Sequence, residues 1–455
     1  MVPAIVQHLI APLHERLLGR RTFRYLRELE ESQWASPDEL RALQATKLRE
    51  LLVHARGRIP YYQRRLADTG AADPLETLRR LPLLDKIDMR RHAADMVWPD
   101  VPGGMFEYQT GGSSGMPLTF WFDRRRQAYD QAARLRSHRW FGIEVGDREL
   151  YLWGSPVELS RTDRLRRRRD GLFNQRLLDA FNMSPQRMDE YLEVLARFRP
   201  ACLYGYPSSI ALLIEHALKR GRPLATHALR AVFVTGEVCY PHDRAAIASA
   251  LQVPVADGYG SREGGFIAHE CSEGNMHVTA ENVVVEIVRD GSPVPEGESG
   301  EIVLTHLDQY AMPFIRYRTG DVGRLQPGRC RCGRGLPLMD VVQGRTTDFL
   351  YLPDGSIKHA LSIIYPLRAM RSLRRFRVTQ REDYSVHIEV VGDEDGAGLT
   401  REGVARGVRP VLGELPVHVE IVREIPTVGS GKYRQVISYA APDTRGCRAE
   451  MPIGV

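Results

Sequence analysis

The sequence predicts an α/β fold: a large N-terminal α/β body with mostly parallel sheets, followed by a small mobile α+β C-terminal domain. Three observations carry this expectation. From about residue 67 to 344, short β-rich runs alternate with helical stretches, the pattern of strand–helix–strand units around a parallel sheet. After residue 345 the pattern changes to alternating strands around a helix-like run. The chain has 455 residues, 43% hydrophobic and 26% charged, which is ordinary globular composition with length enough for two unequal domains.

The first eighteen residues are fairly apolar but lack the basic start and small-residue cleavage site of a secretory signal. Val6, Leu9, Ile10, Leu13 and Leu17 fall on a helical stripe interrupted by Pro12. That stripe suits a helix lying on the protein body; a membrane-surface anchor is the alternative. Residues from about Phe23 to Leu66 read as helices, with Ser36-Pro37-Asp38-Glu39 as a capping-box start. The runs Leu150–Trp153, Ala201–Tyr204, Ala231–Thr235 and Val283–Val288 read as strands, and Met188–Phe198, Ile210–Lys219 and Asp243–Leu251 as the helices between them. Beyond the joint, strands are expected at Arg374–Thr379, Ser385–Val391 and Val417–Arg423. The expected boundaries are a body at 1–345, helical over about 1–70, a small domain at 346–440, and a tail at 441–455.

Charge and cysteine content exclude several classes. The net charge of +6 is too weak for a nucleic-acid binder. No run approaches 18 consecutive apolar residues, so no transmembrane helix is expected. Six cysteines do not make a disulfide scaffold in so long a chain, and a cytoplasmic location is expected. The basic run from Arg164 to Arg169 reads as a solvated face, with an anionic partner as the alternative.

The strongest local signal is Thr110-Gly-Gly-Ser-Ser-Gly-Met-Pro117, after the β-like Phe106–Gln109. Glycines let the backbone approach an anion, and the hydroxyls of Thr110, Ser113 and Ser114 add donors. No Gly-Lys-Ser/Thr follows, so this is not the common P-loop. Downstream stand Thr235-Gly-Glu237, Asp257-Gly-Tyr-Gly-Ser-Arg-Glu263, Arg316-Tyr-Arg-Thr-Gly-Asp321, Gly344-Arg345 and Pro426-Thr-Val-Gly-Ser-Gly-Lys432.

These six motifs, in this order, resemble the adenylate-forming superfamily of acyl- and aryl-CoA ligases. With Tyr206–Ser208 and Ala311–Asp321, the chain is similar to its phenylacetate–coenzyme A ligase branch. The pattern Leu203–Ser209 is similar to relatives in capsule and exopolysaccharide clusters. The resemblance implies ATP-dependent conversion of a carboxylic acid to an acyl-AMP with release of pyrophosphate, then transfer to coenzyme A. Transfer to an amine, sugar or carrier protein is the alternative, and a nucleotide-binding protein without catalysis is the third reading.

The resemblance also implies residue roles. Thr110, Gly111, Gly112, Ser113, Ser114 and Gly115 would hold the β- and γ-phosphates. Glu263 would bind Mg²⁺, a hard oxygen for a hard cation. Tyr259, with Gly260 beside it, would lie against adenine; Gly236 and Glu237 would border adenine or ribose. Asp321 would accept from the ribose hydroxyls, Arg345 would approach ribose or phosphate, and Lys432 would reach the α-phosphate and the carboxylate as a point charge. Tyr206, Tyr240 and Phe266 are candidates for the acid pocket, or ordinary core residues. Two departures bear on the second half-reaction: Thr347 stands where relatives carry a hinge aspartate, and Leu350–Lys358 replaces a glycine-rich turn with a hairpin at Pro353–Gly355. Leu118 stands where the family often has lysine. Finally, Cys271, His277, Cys330 and Cys332 make a Cys₃His set suited to structural Zn²⁺, against buried free thiols as the alternative; His269 is the rival fourth ligand.

Overall fold

The computed structural model describes residues 1–66, 73–109, 119–154, 169–222, 224, 227–343, 349–354, 356–370, 372–392, 399–425 and 436–440. Helices occupy the first hundred residues. The long helix Pro37–Arg58 opens as the sequence predicts: the Ser36 hydroxyl accepts from the Glu39 N–H while the Glu39 carboxylate accepts from the Ser36 N–H. The N-terminal helical run Pro3–Leu17 is not broken at Pro12. A π-helical turn at Val6–Ile10 precedes it, and the wider i→i+5 bonding absorbs the N–H that proline lacks.

The strands follow a short ribbon, β1 (Met105–Gln109) and β2 (Thr119–Asp123). Next come β3 (Glu149–Trp153), β4 (Gln175–Asp179), β5 (Cys202–Gly205), β6 (Ala231–Thr235), β7 (Val255–Ser261), β8 (Gly265–Glu270) and β9 (Met276–Val278). β10 (Val283–Arg289), β11 (Ser292–Pro293), β12 (Gly300–His306), β13 (Tyr317–Gln326) and β14 (Leu338–Gln343) complete a twelve-stranded sheet among the described residues, in the order β11-β10-β12-β13-β14-β9-β8-β7-β6-β5-β3-β4.

The α/β body is as the sequence predicts, but its sheet is mixed rather than mostly parallel. From β4 to β7 every pairing is parallel, because helices Pro185–Phe198, Pro207–Lys219 and Pro241–Leu251 carry the chain back between strands. From β7 onward every pairing is antiparallel, since only short turns connect β7 to β8 and β8 to β9, leaving no room for a crossover. In the parallel half, side chains alternate between two cores. Val232 and Val234 join Leu150, Leu203, Ile210 and Ile247 on one face; Ala231 and Phe233 join Ile143 and Cys202 on the other.

The C-terminal part has its own core. β15 (Phe349–Tyr351) and β16 (Ile357–His359) pair antiparallel around the expected turn. β17 (Leu373–Gln380), β18 (Val386–Gly392), β19 (Val417–Ile421) and β20 (Val436–Ser438) form a four-stranded sheet in the order β19-β18-β17-β20. Ile363, Phe376, Ile388, Val408 and Leu412 pack between that sheet and helices Ala360–Ala369 and Arg401–Leu412. Among the described residues, no helix is long and apolar enough to cross a membrane.

Candidate active site

The candidate residues gather at the carboxyl ends of β5, β6 and β7, the edge at which parallel α/β sheets bind ligands. β6 ends at Thr235, whose hydroxyl donates to the Gly258 carbonyl of β7 at 2.5 Å, tying the two strand ends together. The chain then turns at Gly236 with φ of +83°. A side chain there would sit 3.0 Å from the Tyr206 ring and 3.2 Å from Trp153, so glycine satisfies both the left-handed backbone and the close floor. The following Glu237 accepts a hydrogen bond from Ser208, at the start of helix Pro207–Lys219.

β7 carries Tyr259, and the tight turn to β8 carries Glu263. Gly260 allows that hairpin to close, because a Cβ there would lie 2.7 Å from the Gly265 carbonyl oxygen. Glu263 is nearly buried at 6% exposure. Its Oε1 lies 3.2 Å from Lys86 Nζ and accepts from the Tyr317 hydroxyl, also at 3.2 Å. Across the site, β13 turns alternate residues inward: Tyr317 and Thr319 are buried, Asp321 is half-buried, and Arg318 is exposed. The Tyr259 hydroxyl donates to Asp321 Oδ2 at 2.9 Å.

Lys86 is a residue that sequence reasoning missed. It opens the helix Lys86–Arg91, capped by the Asp85 carboxylate, which accepts from the Asp88 N–H. The preceding Leu84 pairs with β13: Leu84 N–H donates to Arg316 O, and Arg318 N–H donates to Leu84 O, each at 2.9 Å. The Asp-Lys start was a capping signal, but nothing local in it marked a partner far along the chain.

The three aromatic residues considered for an acid pocket stand in different surroundings. Tyr206 is 2% exposed, stacks on Trp153 at 4.1 Å and donates to the Gly154 carbonyl at 3.0 Å. Tyr240 is half out of the protein at 37% exposure and stacks on His242. Phe266 stacks on His269 at 4.8 Å. On the face of β7 that Tyr259 shares with Asp257, a cavity of about 440 Å³ is lined by Asp257, Cys239, Arg244, Glu270, Met276 and Asp340. Arg244 grips both Glu270 carboxylate oxygens, at 2.9 and 2.8 Å. Burial, with Glu270 beside it, pushes the Asp257 carboxyl up to about 7.

The structure brings Cys271, His277, Cys330 and Cys332 together, their ligand atoms all within 4.8 Å of one another. Cys271 Sγ lies 3.6 Å from Cys330 Sγ, and Cys332 Sγ lies 3.3 Å from His277 Nε2. Tetrahedral zinc with sulfur bonds of about 2.3 Å separates its ligands by roughly 3.5–3.8 Å, so the donor set fits that ion. His277 Nδ1 faces the Leu336 carbonyl at 3.4 Å, which orients the ring. Burial holds His277 down at about 4, in the neutral form a metal requires, and raises the Cys271 thiol to about 12. His269, the rival ligand, is instead stacked on Phe266 and buried beside Gly258.

The cluster sits at a corner of the sheet. β9 and β14 are joined by the single pair His277–Leu338; Cys271 follows β8, while Cys330 and Cys332 precede β14. The cluster thereby draws on the segments to either side of that single pair. Thr110, Gly111, Gly112, Ser113, Ser114, Gly115, Leu118, Arg345, Thr347 and Lys432 lie outside the described residues, as does the basic run apart from Arg169.

A family model described as an AMP-binding enzyme matches residues 177–307. The chain is 27% identical over 347 residues to the phenylacetate-coenzyme A ligase of Thermus thermophilus, covering 69% of this chain and 72% of that protein. It is 21% identical to Protein CapK of Staphylococcus aureus, covering 96% and 97% of the two chains. Among solved structures, 2-hydroxyisobutyryl-CoA ligase in complex with 2-HIB-AMP and CoA shares the fold with a TM-score of 0.62, at 21% identity, covering 90% of this chain and 91% of that one.

Proposed function

We propose that this chain, which belongs to the adenylate-forming superfamily in its phenylacetate–coenzyme A ligase-like branch, activates a carboxylic acid with ATP and passes the acyl group to coenzyme A. In the first step a carboxylate oxygen attacks the α-phosphorus, and the bond to the bridging oxygen breaks, so pyrophosphate leaves with the electron pair. In the second, the thiol sulfur attacks the acyl carbon of the acyl-AMP, and AMP departs. Both steps bring anions together, so cationic and N–H donors set the rate.

The observation that carries this reading is the hydrogen-bonded pair Tyr259–Asp321 beside Glu263. Tyr259 offers a ring face to adenine, and Asp321 offers carboxylate oxygens to the ribose hydroxyls. Their mutual hydrogen bond fixes the spacing between those two contacts. Gly236 and Glu237 border the same nucleoside. Mg²⁺, when bound, neutralises phosphate charge, and Glu263 supplies the hard oxygen donor suited to it. Thr110–Gly115 would cradle the phosphates, Arg345 would approach ribose or phosphate, and Lys432 would place its charge at the α-phosphate and carboxylate. Tyr206, Tyr240 and Phe266 remain candidates for the acid's surroundings, with an aryl or arylacetic acid as the expected class. Cys271, His277, Cys330 and Cys332 would hold one structural Zn²⁺. Residues 1–345 would act as the body and 346–440 as a mobile lid that re-forms the site between half-reactions.

A second reading, transfer to an amine, sugar or carrier protein, rests on Thr347 and on the hairpin sequence Leu350–Lys358, where this chain departs from coenzyme A ligases. Mass spectrometry of reactions containing acid, ATP, Mg²⁺ and coenzyme A separates the two. A coenzyme A thioester is expected; acyl-AMP accumulating without thioester would move the assignment to the second reading.

A further inference from the structure

The first helix presents leucines to water. Ile5, Leu9, Leu13 and Leu17, four residues apart, are 44, 63, 53 and 77% exposed. The other faces do the packing. Val6 is fully buried and Ala11 nearly so, His14 meets the Phe173 ring edge-on at 4.9 Å, and buried Glu15 accepts from Thr22 and Arg20. Asn174 fastens the start of the run to the body by donating to the Met1 and Gly146 carbonyls at 3.1 and 2.7 Å. Rotation of the helix onto its leucines is therefore blocked by contacts that already hold it.

A four-residue repeat drifts around an ordinary α-helix of 3.6 residues per turn. The π turn at Val6–Ile10 uses more residues per turn, so the four apolar side chains stay closer to one line. The result is a continuous apolar ridge, roughly 18 Å long at 1.5 Å per residue, with nothing among the described residues covering it.

Charge identifies the occupant. The run and the helix after it, residues 1–32, contain five arginines, Arg16, Arg20, Arg21, Arg24 and Arg27, against four acids; Glu15 is held by Arg20, Glu28 by Arg24 and Glu30 by Arg139, which leaves Glu31. Arg16, Arg21 and Arg27 are exposed and have no carboxylate partner among the described residues. A second copy of the chain on this ridge would bring the same excess of arginine and, from these two helices, no unpaired carboxylate but Glu31 to meet it. An anionic bilayer offers an apolar boundary for the leucines and phosphates for the arginines.

We infer that the helical run Pro3–Leu17 docks the protein on the surface of an anionic lipid bilayer, with Ile5, Leu9, Leu13 and Leu17 at the acyl boundary and Arg16, Arg21 and Arg27 against the headgroup phosphates. The helix lies in the interface and does not span it.

Vesicle flotation of the full-length protein tests this, using phosphatidylcholine vesicles with and without phosphatidylglycerol. Binding is expected only to the anionic vesicles, weakened by salt, and reduced at least about tenfold in the L9S/L13S/L17S variant. Because these leucines are exposed, the variant should keep its melting temperature and its acid-dependent pyrophosphate exchange. Absence of binding to either vesicle overturns the inference, as does equal binding to both. Light scattering that shows a dimer lost in the same variant, without vesicle binding, would assign the ridge to self-association instead.

Discussion

The Tyr259 hydroxyl reaches Asp321 Oδ2 at 2.9 Å, although β7 and β13 stand four places apart in the sheet order. In a flat sheet four steps of about 4.8 Å would separate those strands by roughly 19 Å, beyond the reach of one tyrosine and one aspartate. The contact therefore requires the sheet to bend between β7 and β13, a stretch that includes the single His277–Leu338 pair joining β9 to β14. The Cys₃His cluster lies in that same stretch.

Substitutions at the pair should separate its two roles. Asp321→Asn removes the ionised acceptor for the ribose and should raise the KM for ATP about tenfold or more, the scale of a lost charged hydrogen bond. Tyr259→Phe keeps the ring face and loses only the brace, so a rise of a few fold is expected. Steady-state exchange kinetics with varied ATP check both. Equal effects would mean that the hydroxyl does more than orient Asp321.

Lys432→Ala should lower the rate of adenylation about 10²- to 10³-fold while leaving the KM for ATP within a few fold, because its charge is used chiefly as negative charge develops at phosphorus. Pyrophosphate release measured at saturating acid is the readout.

Metal analysis of protein purified without chelator should find one zinc per chain. Cys332→Ser should lower that content and the melting temperature. It should also raise the KM for ATP, since loosening the β9–β14 corner moves Asp321 relative to Tyr259. A fall in melting temperature with the KM unchanged would confine the cluster to stability.

Stability should respond to acid through His269. Burial, reinforced by Arg136 and Arg134, holds its pKa down at about 3, against about 6.5 for an exposed imidazole. The folded protein therefore keeps it neutral, while the unfolded chain takes up a proton as the pH falls below about 6.5. Its contribution is complete above 6.5 and is lost progressively toward 3. Compared with His269→Leu, the wild type should lose up to about 1.4 kcal/mol per pH unit across that window, measured by urea unfolding at stepped pH.

Much of this was legible in the sequence, for physical reasons. β6 was read at its observed bounds because Ala231–Thr235 is a continuous apolar run buried on both faces. The three helices of the parallel half were placed correctly but started late. Each begins at a proline, Pro185, Pro207 or Pro241, in the first turn, where the missing N–H costs nothing. The β7–β8 hairpin was seen as a motif and not as strands, because Gly258, Gly260, Gly264 and Gly265 leave little apolar alternation to read. In the antiparallel half Val283–Val288 was read as a strand and forms most of β10, but its neighbours were not read, and Lys86 was missed because its partner Glu263 is brought close only by tertiary folding. The Cys₃His set was legible from ligand chemistry, but its place at the sheet corner was not.

Acid-dependent ATP–pyrophosphate exchange without coenzyme A, run across aryl, arylacetic, fatty and amino acids, tests acyl-adenylate formation most directly. Exchange with one class of acid, lowered about 10²- to 10³-fold in Lys432→Ala and weakened in Asp321→Asn, is the predicted result. Tight ATP binding with no exchange for any acid in the panel would contradict it and leave a nucleotide-binding protein without adenylation chemistry.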